Sequence, residues 1–204
     1  MSPVAAADCV PIDAPDAELA LTPHFLSERE ADAFAASLIA EADWEQQVLK
    51  IFGREVAAPR LSAWYGDPGA AYAYSGLRLE PKPWLPALSE LRSRLERRTG
   101  CHFNSVLLNL YRDGRDGMGW HSDDEPELGY APTIASLSFG GARRFLLRHR
   151  TRRDLDTLTL HPGHGSLILM AGSTQRCWKH SVPKTARPTE PRLNLTYRAI
   201  RSSD

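Results

Sequence analysis

Within Gly119-Trp120-His121-Ser122-Asp123-Asp124-Glu125, two residues have the types and the spacing to hold a metal ion. His121 and Asp123 stand two positions apart, and in an extended backbone such residues point the same way, so an imidazole and a carboxylate can grip one cation. On a helix they would diverge. A further neutral imidazole would complete two histidines and one carboxylate, a set that leaves three coordination positions open and serves non-haem Fe(II) oxygenases. His180, 57 positions after Asp123, is the candidate. His-x-Asp pairs also arise by chance and the chain has seven histidines, so the weight rests on the surrounding sequence.

Arg192-Leu193-Asn194-Leu195-Thr196-Tyr197-Arg198 alternates as a strand does. Arg192, Asn194, Thr196 and Arg198 fall on one face, and Leu193, Leu195 and Tyr197 on the other. A buried unpaired guanidinium is too costly, so the polar face must meet water or an anion. The planar fork of arginine matches a carboxylate. Asn109 and Tyr111 share a face in the same manner on the strand running into the metal turn. An amide, a phenol and two guanidinium groups can therefore surround one dicarboxylate beside the metal; exposed strand residues are the plainer reading of either strand alone.

These groups need a β-rich frame, and the chain supplies one. Phe103 to Tyr111, Thr133 to Phe139, Phe145 to Arg150, Leu155 to Leu160, Ser166 to Met170 and Arg192 to Ile200 read as strands separated by Gly, Pro and Asp turns, which implies a sandwich or jelly roll. Two helices precede them. Ser27-Glu28-Arg29-Glu30 has the form of a capping box, with Phe34, Leu38 and Ile39 at helical spacing, so a helix is predicted from about Glu28 to Ala42. Leu85, Leu88, Leu91 and Leu95 repeat at three and four between Trp84 and Thr99, with Gly100 as terminator. Between Trp44 and Gly76 lie short extended pieces, including a hairpin around Gly53 and Tyr72 and Tyr74 on one face. The fold class expected is α+β, mainly β. Residues 1–20, rich in Ala, Pro and Asp, read as a poorly ordered tail ahead of a single domain over residues 21–204.

Composition agrees with an ordinary globular protein. The 204 residues are 42% hydrophobic and 25% charged, long enough for one domain with a real core, and no apolar run approaches a membrane span. The N-terminus lacks the basic start and apolar stretch of a secretory signal, so a cytoplasmic location is expected. Cys9, Cys101 and Cys177 form no CxxC pair and read as ordinary thiols of a reducing compartment. The net charge is zero, yet Arg143, Arg144, Arg148, Arg150, Arg152 and Arg153 fall within eleven residues, either a solvated face or a phosphate-holding strip.

As a set, Asn109-Leu110-Tyr111, His121 to Glu125, Ile134 to Gly140, His180 and Arg192 to Arg198 resemble the AlkB family of Fe(II)- and 2-oxoglutarate-dependent dioxygenases. Pro59-Arg60-Leu61, Trp64-Tyr65-Gly66 and Tyr72 to Gly76 resemble the substrate lid of its DNA-repair branch. The resemblance runs roughly from Lys50 to Arg201. It implies a double-stranded β-helix flanked by helices, with a nucleotide-recognition lid over about residues 46–80 and a jelly-roll core over about 101–201. It implies Fe(II) on His121, Asp123 and His180, and 2-oxoglutarate with its distal carboxylate on Arg192 and Tyr111 and its other end on Asn109, Asn194 and Arg198. With O2, these would demethylate bases such as 1-methyladenine and 3-methylcytosine in DNA or RNA, releasing formaldehyde and succinate.

By the same resemblance, Asp124 would accept the exocyclic amine of the damaged base, Glu125 would support the turn, and Tyr72, Tyr74 and Arg60 would line the nucleotide site. Phe52 occupies the place of a duplex-opening wedge, useful because a stacked base cannot reach the iron. In that context the arginine run reads as a phosphate strip. Trp178 and Lys179 receive no role, His164 between two glycines a structural one, and a monomer is expected. The alternatives are an oxygenase acting on a protein or small molecule, a silent nucleic-acid-binding module, and a zinc hydrolase, which would leave Arg192 and Arg198 without a carboxylate.

Overall fold

The computed structural model describes residues 8–51, 53–70, 72–74 and 77–201, with the side chains of residues 49–51, 72–74 and 77–79 excepted. The chain opens with β1 (Val10–Pro11), β2 (Glu18–Thr22) and α1 (Glu28–Glu41). The hairpin β3 (Val48–Ile51) and β4 (Arg54–Ala57), then β5 (Leu61–Gly66), the hairpin β6 (Tyr72–Tyr74) and β7 (Leu77–Leu79), and α2 (Pro86–Thr99) follow. The rest is β8 (Ser105–Tyr111), β9 (Met118–His121), β10 (Ile134–Gly140), β11 (Phe145–His149), β12 (Leu158–Leu160), β13 (Ser166–Ala171), the one-turn α3 (Thr174–Cys177), β14 (Trp178–Val182) and β15 (Arg192–Arg198).

Seven strands form a major sheet in the order β1-β2-β13-β10-β15-β8-β5, and four a minor sheet in the order β12-β11-β14-β9. From β8 onwards the chain steps between them, β8, β10, β13 and β15 to the major sheet and β9, the antiparallel pair β11 and β12, and β14 to the minor. That alternation is the double-stranded β-helix expected of the sequence.

The central strand β15 pairs antiparallel with both β10 and β8, and all seven of its residues are buried. Leu193, Leu195 and Tyr197 join a core with Leu38 of α1 and Leu88, Leu91 and Leu95 of α2, so the helices cover the outer face of the major sheet. The Tyr197 hydroxyl donates to the Leu88 carbonyl at 2.9 Å, which satisfies a phenol in an otherwise apolar layer. A second core, with Phe145, Leu147, Ile168 and Trp178, draws on strands of both sheets. The Ser27 capping box is formed, and Gly100 ends α2 at φ 68°, a left-handed conformation that glycine adopts without strain.

Four sequence expectations are corrected. The tail over residues 1–20 is wrong where the chain is described: β2 pairs with β13, and β1 with β2. The helix predicted from Trp84 starts at Pro86, because the residue before a proline avoids helical backbone and Leu85 is extended. Within the range assigned to the lid, β5 pairs with β8 and is almost wholly buried, so Trp64-Tyr65-Gly66 belongs to the core. The jelly-roll sheet therefore draws on strands well before residue 101.

Candidate active site

His121 ends β9 and His180 is the middle residue of β14, and the antiparallel register sets the two directly opposite each other. Their rings lie 4.1 Å apart, centroid to centroid. Asp123 follows two residues on, and one donor atom from each of His121, Asp123 and His180 lies within 4.8 Å of the other two. The fold thus brings His121, Asp123 and His180 to one point in space.

Each donor is held in a ligating state. Nδ1 of His121 lies 2.9 Å from the Gly119 carbonyl, so the proton sits there and Nε2, 3.9 Å from Asp123 Oδ1, is left with its lone pair. Burial, reinforced by the neighbouring His121, pushes His180 down to about 3, so at neutral pH it is the uncharged imidazole that metals bind. Phe145 stacks on its ring at 5.3 Å and fixes its plane. Burial by itself would raise the Asp123 carboxyl, but the Arg198 guanidinium, followed by the two imidazoles, holds it at about 2. Nε and Nη2 of Arg198 both donate to Asp123 Oδ2, at 3.1 and 2.9 Å, and Oδ1 turns towards the histidines.

Beyond the three donors lies a cleft between the sheets, lined by Asn109, Tyr111, Asn194 and Arg198 among others. The register explains the grouping, since Asn109 pairs with Asn194 and Tyr111 with Arg192 across β8 and β15. Arg192 is 2% exposed. Its Nη2 donates to Ser138 Oγ at 2.9 Å, while Nε and Nη1 are buried with no hydrogen-bond partner. Among the described residues no carboxylate pairs with it. Its guanidinium carbon lies 5.4 Å from the Tyr111 ring centre, and burial lowers its pKa from the usual guanidinium value. A buried cation with two unanswered donors demands an anion, and a carboxylate is the matching shape.

The remaining predicted residues are placed as follows. Asn194 Nδ2 donates to Ser136 Oγ and the Leu137 carbonyl, and Asn109 Oδ1 accepts from Nε of the buried Arg60 at 2.8 Å. Arg60 is therefore buried against Asn109, and Arg198 has in Asp123 a partner that sequence reading did not foresee. Asp124 is exposed and ion-paired with Arg150. Glu125 precedes the short 3₁₀ turn Pro126–Leu128, as a turn support would, yet its Oε2 is buried without a partner. Tyr72 and Tyr74 stand at alternate positions of β6, their side chains outside the described residues, and Phe52 lies outside them altogether.

The arginine strip is corrected in part. Arg143 is buried, donating to the carbonyls of Asp113, Asp116 and Pro183, so it ties loops together and cannot meet a phosphate. Arg152 pairs with Asp154, and Arg148 lies over the Trp120 ring. His164 accepts from the Gly140 amide at 2.8 Å, the structural role expected. Three supports were missed: Gln175, which accepts from the Asp123 amide, Ser122, which donates to the Trp178 carbonyl, and Trp178 itself, buried with its indole on the Pro15 carbonyl. No spacing rule marks side chains that bond to backbone more than 50 positions away, as these do.

Residues 18–198 match the model of the 2OG-Fe(II) oxygenase superfamily. The chain is 42% identical over 188 residues to the human alpha-ketoglutarate-dependent dioxygenase alkB homolog 3, covering 88% of this chain and 65% of that protein. It is 43% identical over 180 residues to the mouse DNA oxidative demethylase ALKBH2, covering 84% of this chain and 75% of that one. The chain belongs to the AlkB family of 2OG-Fe(II) oxygenases. A solved structure of OsALKBH1 shares the fold, with a TM-score of 0.63 at 18% identity over 92% of this chain and 99% of that one. Against the alkB homolog 3 relatives the chain spans just under two thirds of their length. Fe(II), 2-oxoglutarate and O2 are the reactants of this family, and the residues fit them. The donor set is the oxygenase one, and the orphaned Nε and Nη1 of Arg192, behind the cleft-lining Tyr111, call for a carboxylate. A zinc hydrolase would leave that cation unanswered.

Proposed function

We propose that this protein demethylates N-alkylated bases such as 1-methyladenine and 3-methylcytosine in DNA, and in RNA where the base is unpaired. The observation that carries the reading is a buried, carboxylate-seeking Arg192 against Tyr111, a wall of the cleft that holds three preset metal donors, in a chain 43% identical to a DNA oxidative demethylase. When bound, Fe(II) with 2-oxoglutarate and O2 supplies the oxidising power that hydroxylates the N-methyl group, and the N-hydroxymethyl base then loses formaldehyde.

This chain's residues set the geometry. Arg192, with Tyr111 beside it, anchors one end of the co-substrate, and Asn109 and Asn194 lie nearer the metal on the same two strands. Arg198 takes Oδ2 of Asp123 and so leaves Oδ1 to the metal. Asp124 follows the metal carboxylate in sequence, and it is exposed and ion-paired with Arg150, placed to accept a hydrogen bond from an exocyclic amine. Tyr72 and Tyr74 stand two apart on β6 of the β6–β7 hairpin, and as aromatic residues they are assigned the stacking of an extruded base. The test is formaldehyde and succinate release from single- and double-stranded oligonucleotides carrying one methylated base. Equimolar release supports the reading, whereas co-substrate turnover with no formaldehyde from either oligonucleotide refutes the substrate class.

A further inference from the structure

Asp123 is gripped at both ends. Its carboxylate is held by Arg198, and its backbone amide donates to Oε1 of Gln175 at 3.0 Å. Gln175 is 1% exposed and turns its own amide nitrogen towards the Met170 sulfur at 3.4 Å, so its side chain has one orientation. It sits in α3, the single turn joining β13 to the strand that carries His180. One turn of helix has little stability of its own, and its position must come from its contacts.

Those contacts come from the N-terminal segment. Glu18 donates its amide to Thr174 Oγ1 at 2.9 Å, and that hydroxyl donates to the Ala171 carbonyl at 2.6 Å. Ser173 Oγ donates to the Asp16 carbonyl at 2.8 Å, and the Trp178 indole to the Pro15 carbonyl at 2.8 Å. Residues 15–18 thus clasp the whole of α3, from the residue before it to the residue after it. On the inner side, Ser122 Oγ reaches the Trp178 carbonyl at 2.9 Å, a second stitch between the two ligand-bearing segments.

We infer that Gln175, seated by the N-terminal strap, is a positioning residue for the metal carboxylate Asp123. A buried amide deprived of its acceptor finds another by shifting its peptide, and the peptide in question carries a ligand. The strap, which touches no ligand directly, acts through α3. Outer partners of metal ligands typically affect metal affinity about 10- to 100-fold when removed.

The experiment is titration of the metal-free full chain with Mn(II), a redox-silent probe, following the free-ion resonance signal, for wild type, Gln175→Met, Gln175→Glu and Thr174→Val. Met matches the length of Gln and lacks the acceptor; Glu restores it. The expected result is Mn(II) affinity roughly 10- to 100-fold weaker in Gln175→Met, as for other outer partners, with most of it regained in Gln175→Glu. Thr174→Val, which removes the strap bond to the first residue of α3 and leaves those of Ser173 and Trp178, weakens binding in the same direction and stands in if Gln175→Met does not melt cooperatively. Wild-type affinity in either folded variant overturns the proposal. Because it rests on the metal site at His121, Asp123 and His180, wild-type protein that takes up no Mn(II) refutes that site instead.

Discussion

Replacing Arg192 by Met separates stability from function. The guanidinium is buried with Nε and Nη1 unanswered, and burial already depresses its pKa. In ligand-free protein it is therefore a cost, and an apolar side chain of similar length relieves it. Substituting well-packed apolar residues for buried charges is neutral or stabilising by about 1–4 kcal/mol. At about 2–4 °C per kcal/mol for a chain of this size, the melting temperature should rise by roughly 2–16 °C. Under the proposed function the same change should also abolish anchoring of 2-oxoglutarate. A ligand at about 100 times its Kd stabilises the folded state by about 2.7 kcal/mol, so wild type with Mn(II) should gain roughly 5–11 °C on adding 2-oxoglutarate. The Arg192→Met protein should gain none. Thermal unfolding followed by circular dichroism, with and without the co-substrate, reads both quantities. A variant that melts lower than wild type and keeps the co-substrate shift would show that Arg192 is scaffolding and that the anion binds elsewhere.

Three further outcomes follow from particular contacts. Arg143→Ala strands the carbonyls of Asp113, Asp116 and Pro183, which at about 1–3 kcal/mol per buried group should cost at least about 3 kcal/mol in urea unfolding, with no loss of oligonucleotide affinity in the folded fraction. Asp124→Asn should lower kcat/KM on a methylated oligonucleotide about 10- to 100-fold, the scale of one hydrogen bond to a charged group, while the co-substrate melting shift stays intact. Glu30 is held at about 2 instead of 4.5 by hydrogen bonds from Ser27 and then from Arg94. On acidification the unfolded chain takes up that proton first, so the stabilisation is complete above about pH 4.5 and is lost as pH falls towards 2. The gap in melting temperature between wild type and Glu30→Gln should accordingly narrow between pH 5 and pH 3, and a constant gap would contradict it.

What could be read from the chain was whatever has a period or a spacing. The capping box at Ser27, the leucine repeat of α2 and the alternation of β15 each depend on neighbours a few residues apart, and each appears in the fold. His121-x-Asp123 was legible for the same reason, and the distant His180 came with the wider set of motifs. Non-local partnerships were not legible. Residues 8–20 look like a tail by composition, yet β2 is ordered by pairing with β13, more than 140 positions away in sequence. The strands β9 and β14 are too short and too polar to show alternation, although they carry two of the three metal donors. Arg143 resembles its exposed neighbours because a buried arginine satisfied by carbonyls leaves no mark in composition.

The central claim is that two imidazoles, one carboxylate and the Arg192 guanidinium enclose one metal and one dicarboxylate. Anaerobic addition of Fe(II) and 2-oxoglutarate tests it through the visible metal-to-ligand charge-transfer band of the chelate. The band should appear in wild type, disappear in His180→Ala, and require far more co-substrate in Arg192→Met. Its absence from wild type, or its persistence unchanged in His180→Ala, would contradict the account.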